Sequence, residues 1–276
     1  MSWIDAHVHL WTQDANRYPV IEGTDLTEFE PKNFLPEDLF RHTRPSNVSR
    51  VIIVQIGSYG PDNSLAIDAL EQYPDVFRIV GMVDQHREDV GEEMGRLAKK
   101  GVTGFRISGV PGDPQHSLQS PAFDAMYRAA VKTDQAICPI TMPPGLADQV
   151  AMCRRHPDTK VVVDHMGRIG EQNPIHDDDV KTLCSLAEFP QVYVKISRLH
   201  SLGRKRPPHD DLIPMIRRVV DAFGPDRLMW GSDSPYQIVS ESYEDSISVV
   251  RDKLDFLSTA EREQILAKTA ERIFFW

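Results

Sequence analysis

A chain of 276 residues is long for one small core and short for two large ones, whereas a (β/α)8 barrel needs roughly 250. Hydrophobic and charged contents of 41% and 26% are those of an ordinary globular protein, and a formal net charge of -10 repels phosphate backbones and anionic lipid, so neither nucleic acid nor a membrane surface is expected as a partner. The three scattered cysteines, Cys138, Cys153 and Cys184, form neither a disulfide framework nor a thiolate zinc site; with no apolar run near the ~20 residues of a membrane span and a strand-like start, the expected compartment is the cytoplasm.

The first predicted element is a strand over Trp3–Val8. Residues two apart on a strand share a face, so Asp5, His7 and His9 are expected on one side and Ile4, Ala6 and Val8 on the other. From Trp11 to Asn47 there is little periodicity and there are four prolines. A connection of that length is functional or disordered more often than plain loop, and the expectation is an ordered flap over a barrel mouth, with a surface insertion as the alternative. Further strands are expected at Arg50–Ile56, Phe77–Val83, Val102–Ile107, Ala136–Thr141, Lys160–Val163, Val192–Ile196 and Arg227–Trp230. Helices are expected at Asp62–Tyr73, Val90–Lys100, Ala122–Lys132, Ala147–His156, Asp178–Glu188 and Asp211–Phe223. The runs Val51-Ile52-Ile53-Val54 and Val161-Val162-Val163 are apolar on both faces, as in parallel strands covered on each side. A second long connection, Ser197–Asp210, is dense in cations and imidazoles (Arg198, His200, Arg204, Lys205, Arg206, His209). At the C-terminal end Ser258 and Glu261 form a capping-box pattern. It opens a helix whose aromatic end, through Phe274 to Trp276, is expected in the core, on the barrel exterior.

Eight strands alternating with helices favour a parallel sheet closed into a TIM-like (β/α)8 barrel of the α/β class over an open doubly wound sheet. The barrel is distorted by the long first connection, and residues 1–276 read as one domain. Active sites of such barrels lie at the C-terminal ends of the strands. His7, His9, His165 and Asp233 all fall there, and three imidazoles with one carboxylate suit zinc or another divalent first-row ion. Each also has a structural reading: a satisfied core histidine, or for Asp233 a helix cap or a buried ion-pair partner. Arg106 could pair with Asp5 or Asp164, and Lys195 reads as an inward-facing residue in an ion pair. His42, His86, His116, His156, His176 and His209 read as surface or loop residues.

The stretch Ile4-Asp5-Ala6-His7-Val8-His9-Leu10-Trp11 resembles the opening motif of the amidohydrolase superfamily, in its amidohydrolase-related (amidohydrolase 2) branch, which holds sugar-lactone and 2-pyrone-4,6-dicarboxylate lactonases. Gly104-Phe105-Arg106, Val163-Asp164-His165-Met166-Gly167, Val194-Lys195-Ile196-Ser197 and Arg227-Leu228-Met229-Trp230-Gly231-Ser232-Asp233-Ser234-Pro235 follow in the family's order. The resemblance spans nearly the whole chain. Three departures stand out. Val102–Ser108 lacks the lysine that two-metal members carboxylate, and Ile140-Thr141-Met142-Pro143-Pro144 lacks the fifth-strand histidine of many one-metal members. The family's Gly-Lys-Pro reads Gly167-Arg168-Ile169, a change that bears on specificity.

The resemblance implies a hydrolase that opens a lactone bearing a carboxylate or several hydroxyls, with Asp233 as general base. His7, His9 and His165 would bind at most one divalent metal, zinc before others, or, in metal-free catalysis, the lactone carbonyl. Arg106 is the first candidate to grip a substrate carboxylate, since a guanidinium offers a bidentate fork. Arg198, His200 and Arg168 come next, then Tyr236, Gln55 and Trp11. The competing readings are a metal-dependent decarboxylase of an aromatic or enoic acid, against which the missing fifth-strand histidine counts, and a catalytically retired barrel that binds a small acid. The partner is a small anionic or polyhydroxy substrate. The sequence leaves the oligomeric state open, and a homodimer is compatible with it.

Overall fold

The computed structural model describes residues 2–113, 116–172 and 174–276. Eight strands, β1 (Trp3–Val8), β2 (Val48–Val54), β3 (Phe77–Gly81), β4 (Val102–Ser108), β5 (Ala136–Ile140), β6 (Val161–Val163), β7 (Val192–Ser197) and β8 (Leu228–Gly231), pair side by side in chain order, all in parallel. The sheet closes where Val8 bridges Ser234. There His9 N–H donates to the Ser234 carbonyl at 2.7 Å and Asp233 N–H to the His7 carbonyl at 2.9 Å. The fold is therefore the expected TIM barrel. Close approach at the seam depends on Gly231, because a Cβ there would lie 2.7 Å from the His7 Cβ.

Helix α1 (Pro36–Thr43) lies in the first connection. Helices α2 (Ser64–Gln72), α3 (Val90–Ala98), α4 (Pro121–Thr133), α5 (Leu146–Arg155), α6 (Asp177–Ser185) and α7 (Ile213–Phe223) follow the expected segments, with ends displaced by one or two residues, and by three where α6 tightens into a 3-10 turn. After β8 come α8 (Tyr243–Ser248), α9 (Thr259–Glu263) and α10 (Thr269–Phe274), with π-helical turns at Val249–Lys253 and Gln264–Lys268. Helix α1 hides in the sequence because Pro36 looks like a breaker, yet it occupies the first turn, where a missing N–H costs nothing. Helix α8 starts at the capping box of Ser242 and Asp245.

Two apolar layers sandwich the sheet. Outward-facing residues such as Val51, Ile53, Phe105, Val163, Val194 and Ile196 pack with the helices. Inward-facing Ile4, Ala6, Ile52, Val80, Val162 and Met229 form a second cluster. Against expectation, the C-terminal aromatic end does not lie on the barrel exterior. Ile273 and Phe274 join that inner cluster and plug the end of the barrel opposite the strand C-termini, each apolar side chain contributing about 1.5–3 kcal/mol of burial. Trp276, expected in the core, is 49% exposed.

A β-bulge changes the first strand. Between Asp5 and Val8 the register against β2 slips by one residue, so alternation breaks and the expected sharing of faces does not hold. Ile4 and Ala6 face inward and Val8 faces the helices. Asp5 is turned away from the imidazoles and accepts from Tyr243 Oη at 2.7 Å, Ser232 N–H at 2.9 Å and His7 N–H at 3.0 Å. Burial outweighs these bonds and pushes its carboxyl up to about 6. The extra residue re-aims His7 into the barrel, as bulges beside active sites do.

Candidate active site

The strand ends turn sharply, and several site residues sit in those turns with left-handed backbones. After β6, His165, Met166, Gly167 and Arg168 take φ of 55, 50, 65 and 54°. Arg198 takes 59° after β7 and Asp233 70° after β8. Left-handed non-glycine residues cost roughly 1–2 kcal/mol each, and such strain clusters where function fixes a side chain. Here it aims His165, Arg198 and Asp233 toward one point.

That point is the Asp233 carboxylate, whose Oδ1 lies 3.2 Å from His9 Nε2, 3.6 Å from His7 Nε2 and 3.8 Å from His165 Nε2. All four side chains are buried. The other carboxylate oxygen, Oδ2, accepts from Arg198 Nη1 at 2.7 Å and lies 3.8 Å from His200 Nε2. Burial alone would raise the Asp233 carboxyl, but His165, His9 and Arg198 outweigh it and hold the group well below the carboxylate range.

Protonation of the imidazoles follows from their outer neighbours. His9 Nδ1 is 2.6 Å from the Val54 carbonyl, which can only accept, so Nδ1 carries the proton. In neutral His9 the Nε2 atom is then a lone pair facing a carboxylate oxygen. A second ring proton is disfavoured, since burial lowers the affinity of His9 for it. His165 Nδ1 contacts Ser197 Oγ at 2.8 Å, and burial followed by the nearby His7 holds it well below its ordinary value. His7 is pushed down to about 3, chiefly by burial. The Nε2 atoms of His7 and His165 are buried with no hydrogen-bond partner among the described residues. Orphaned imidazole nitrogens and an acceptor facing an acceptor are what a bound divalent cation would reconcile, so the donor set fits one metal ion.

Beneath His7 lies a buried ion pair. Lys195, inward-facing on β7 as expected, reaches Asp164 Oδ1 at 3.0 Å and His7 Nδ1 at 3.3 Å, and Asp164 Oδ1 is 3.4 Å from the same nitrogen. Above the imidazoles opens a cavity of about 610 Å³ whose walls include His9, Ile21, Arg106, Ile140, Arg168, Arg198 and Tyr236. Arg106 donates to the Gln55 carbonyl at 3.1 Å, and its Nε is 4.0 Å from Asp164.

Of the remaining expected residues, Gln55 turns its amide to the Asp62 carbonyl, away from the cavity. The Trp11 ring packs on Tyr236 at 5.1 Å while its Nε1 donates to the Pro31 carbonyl at 2.6 Å. The first connection is an ordered flap. Trp11 and Phe34 exchange backbone bonds, and Ile21 N–H donates to the Ser58 carbonyl at 2.8 Å, which places Ile21 on the cavity wall. His209, expected at the surface or in a loop, lies in the loop before α7 but is buried there against Glu241 at 2.7 Å. In contrast, Arg204, Lys205 and Arg206 are exposed. Sequence reasoning missed Glu171, which binds Arg168 through both nitrogens of its fork and lies 3.4 Å from Arg198. Its one signal is an acid three residues after Arg168.

The sequence matches the Amidohydrolase family over residues 4–276. The chain belongs to that family. This amidohydrolase is 27% identical over 235 residues to a 4-sulfomuconolactone hydrolase of Rhizobium radiobacter, covering 84% of this chain and 75% of that one. It is 30% identical to an L-fucono-1,5-lactonase of Burkholderia ambifaria, covering 84% and 80%. Among solved structures, an amidohydrolase from Burkholderia multivorans with bound zinc superposes with a TM-score of 0.84 at 23% identity, covering 100% and 99% of the two chains.

Proposed function

We propose that this amidohydrolase opens a lactone that carries an acid group. The observation that carries the reading is the convergence of three imidazole Nε2 atoms on one oxygen of Asp233, at the floor of a cavity with arginines on its walls. The relatives whose names specify a lactone support it. In this reading the lactone ring lies against Tyr236 and Ile140, with its acid group on the Arg106 guanidinium and its carbonyl over the imidazoles. Asp233 takes the proton of the attacking water. A carboxylate held so low accepts a proton only from an oxygen that is itself acidified. His7, His9, His165 and Asp233 would hold one divalent ion, zinc before others, which when bound acidifies water and polarises a carbonyl. Without a metal, a neutral His7 or His165 protonated on Nε2 would turn that N–H to the developing oxyanion, a donor worth roughly 3–4 kcal/mol, whereas His9, protonated on Nδ1, would not.

The test is a pH-indicator screen of sugar lactones and pyrone or muconate-type carboxylated lactones. Proton release is expected with a carboxylated lactone, and Asp233→Asn is expected to lower kcat by about a thousandfold or more, the scale at which a catalytic proton acceptor and its charge act. Carbon dioxide release from an aromatic or enoic acid, without lactone turnover, overturns the reading.

A further inference from the structure

Three arginines line the cavity, but they are not equally available. Arg198 is committed to Asp233 Oδ2 at 2.7 Å. Arg168 is committed to Glu171, with Nη2 to Oε1 at 2.7 Å and Nε on the other oxygen. Glu171 Oε1 also lies 3.4 Å from Arg198. The Glu171 side chain is only 16% exposed, and those of Arg168 and Arg198 are 26% and 21% exposed, so the cluster is shielded from bulk water and its charges couple strongly. Arg106 differs. Its one hydrogen bond among the described residues goes to a neutral carbonyl, and the nearest carboxylate, 4.0 Å away, is already held by Lys195 at 3.0 Å.

We infer that Glu171 is a specificity-determining residue that restricts this site to lactones with a single acid group, held by Arg106. The inference rests on the lactonase reading. Glu171 sits in the fork of Arg168 as a second substrate carboxylate would, so a dianionic lactone finds that guanidinium filled and a negative charge beside it. A lactone with one acid group keeps Arg106 and meets no such repulsion. The departure Gly167-Arg168-Ile169 belongs to the same device, since a planar fork binds a neighbouring carboxylate through two nitrogens where an ammonium would offer a point charge. The remaining wall, with Ile21, Ile56, Ile140 and Tyr236 beside Gly57 and Ser58, gives a flat ring apolar surface to lie against.

The experiment compares wild type, Glu171→Gln and Arg168→Gln on a pyrone monocarboxylate and a pyrone dicarboxylate. In parallel, calorimetry measures binding of two unreactive probes, benzoate and isophthalate. Wild type is expected to prefer the monoacid. Glu171→Gln is expected to improve kcat/KM for the diacid relative to the monoacid by about tenfold, carried by KM, which is the scale of one charge-assisted hydrogen bond. The affinity ratio of isophthalate to benzoate should move the same way. Arg168→Gln leaves the Glu171 charge unpaired and is expected to weaken both probes, the dianion more. A diacid preference in wild type, or a ratio unmoved in Glu171→Gln, overturns the inference. If no lactone is turned over, the lactonase reading fails while the two probes still decide the role of Glu171.

Discussion

Asp164 and Lys195 carry opposite charges in a place without water, and their purpose is visible in what they touch. Both lie against Nδ1 of His7, so they fix the ring from behind while its Nε2 faces Asp233. Such pairs contribute little net stability but are costly to break. Lys195→Met is therefore expected to lower unfolding stability by about 3–5 kcal/mol, because it strands the Asp164 carboxylate. The double variant Lys195→Met, Asp164→Leu should recover a large part of that loss while remaining inactive. The midpoint of urea unfolding for the three proteins measures this, and a single-variant loss below about 1 kcal/mol would show that water reaches the pair. At this scale the sequence was informative about identity and poor about pairing. His7, His9, His165 and Asp233, which the fold brings together, could be picked out by strand-end position combined with donor chemistry. Glu171 could not, because its role comes from a left-handed turn that folds the chain back on Arg168.

At the scale of elements, apolar runs locate strands and helices well because burial on both faces leaves a continuous signal. The register within β1 was not legible. A bulge is a one-residue mismatch between two strands, and nothing in Trp3–Val8 read alone reports its partner. Helix α1 was missed for a similar reason, since its capping depends on where the preceding chain enters. The seam between β8 and β1 makes a sharp prediction. Gly231→Ala puts a methyl group 2.7 Å from the His7 Cβ, with the His7 backbone nitrogen 2.9 Å away, so β1 itself must shift. The expected result is a loss of about 1–3 kcal/mol, typical of overpacking, with a larger proportional loss of kcat than of stability. Equal activity in the alanine variant would mean that the seam can yield without moving His7.

For the whole molecule, net charge and local charge point in opposite directions. A chain with a net charge of -10 gathers arginines at its cavity, and the global figure, which argues against polyanion partners, gives no sign of that local cluster. The same holds for metal, which no composition could settle. In chelator-treated protein, zinc is expected to raise the melting temperature, saturating at one equivalent. A hundredfold excess over Kd corresponds to roughly 5 °C for a chain of this size, and the shift should shrink in Asp233→Asn. Saturation at two equivalents would contradict the one-ion donor set.

The seam also bears on how the protein comes to work. His9 and Asp233 are 224 positions apart, and their meeting coincides with the pairing that closes the sheet. Contacts of such separation carry the largest loop-closure cost and form late. Catalytic competence is thus a report on completion of the fold. In a refolding chain, helicity and buried fluorescence can return while the ring of strands is still open, and turnover can return only once it has closed.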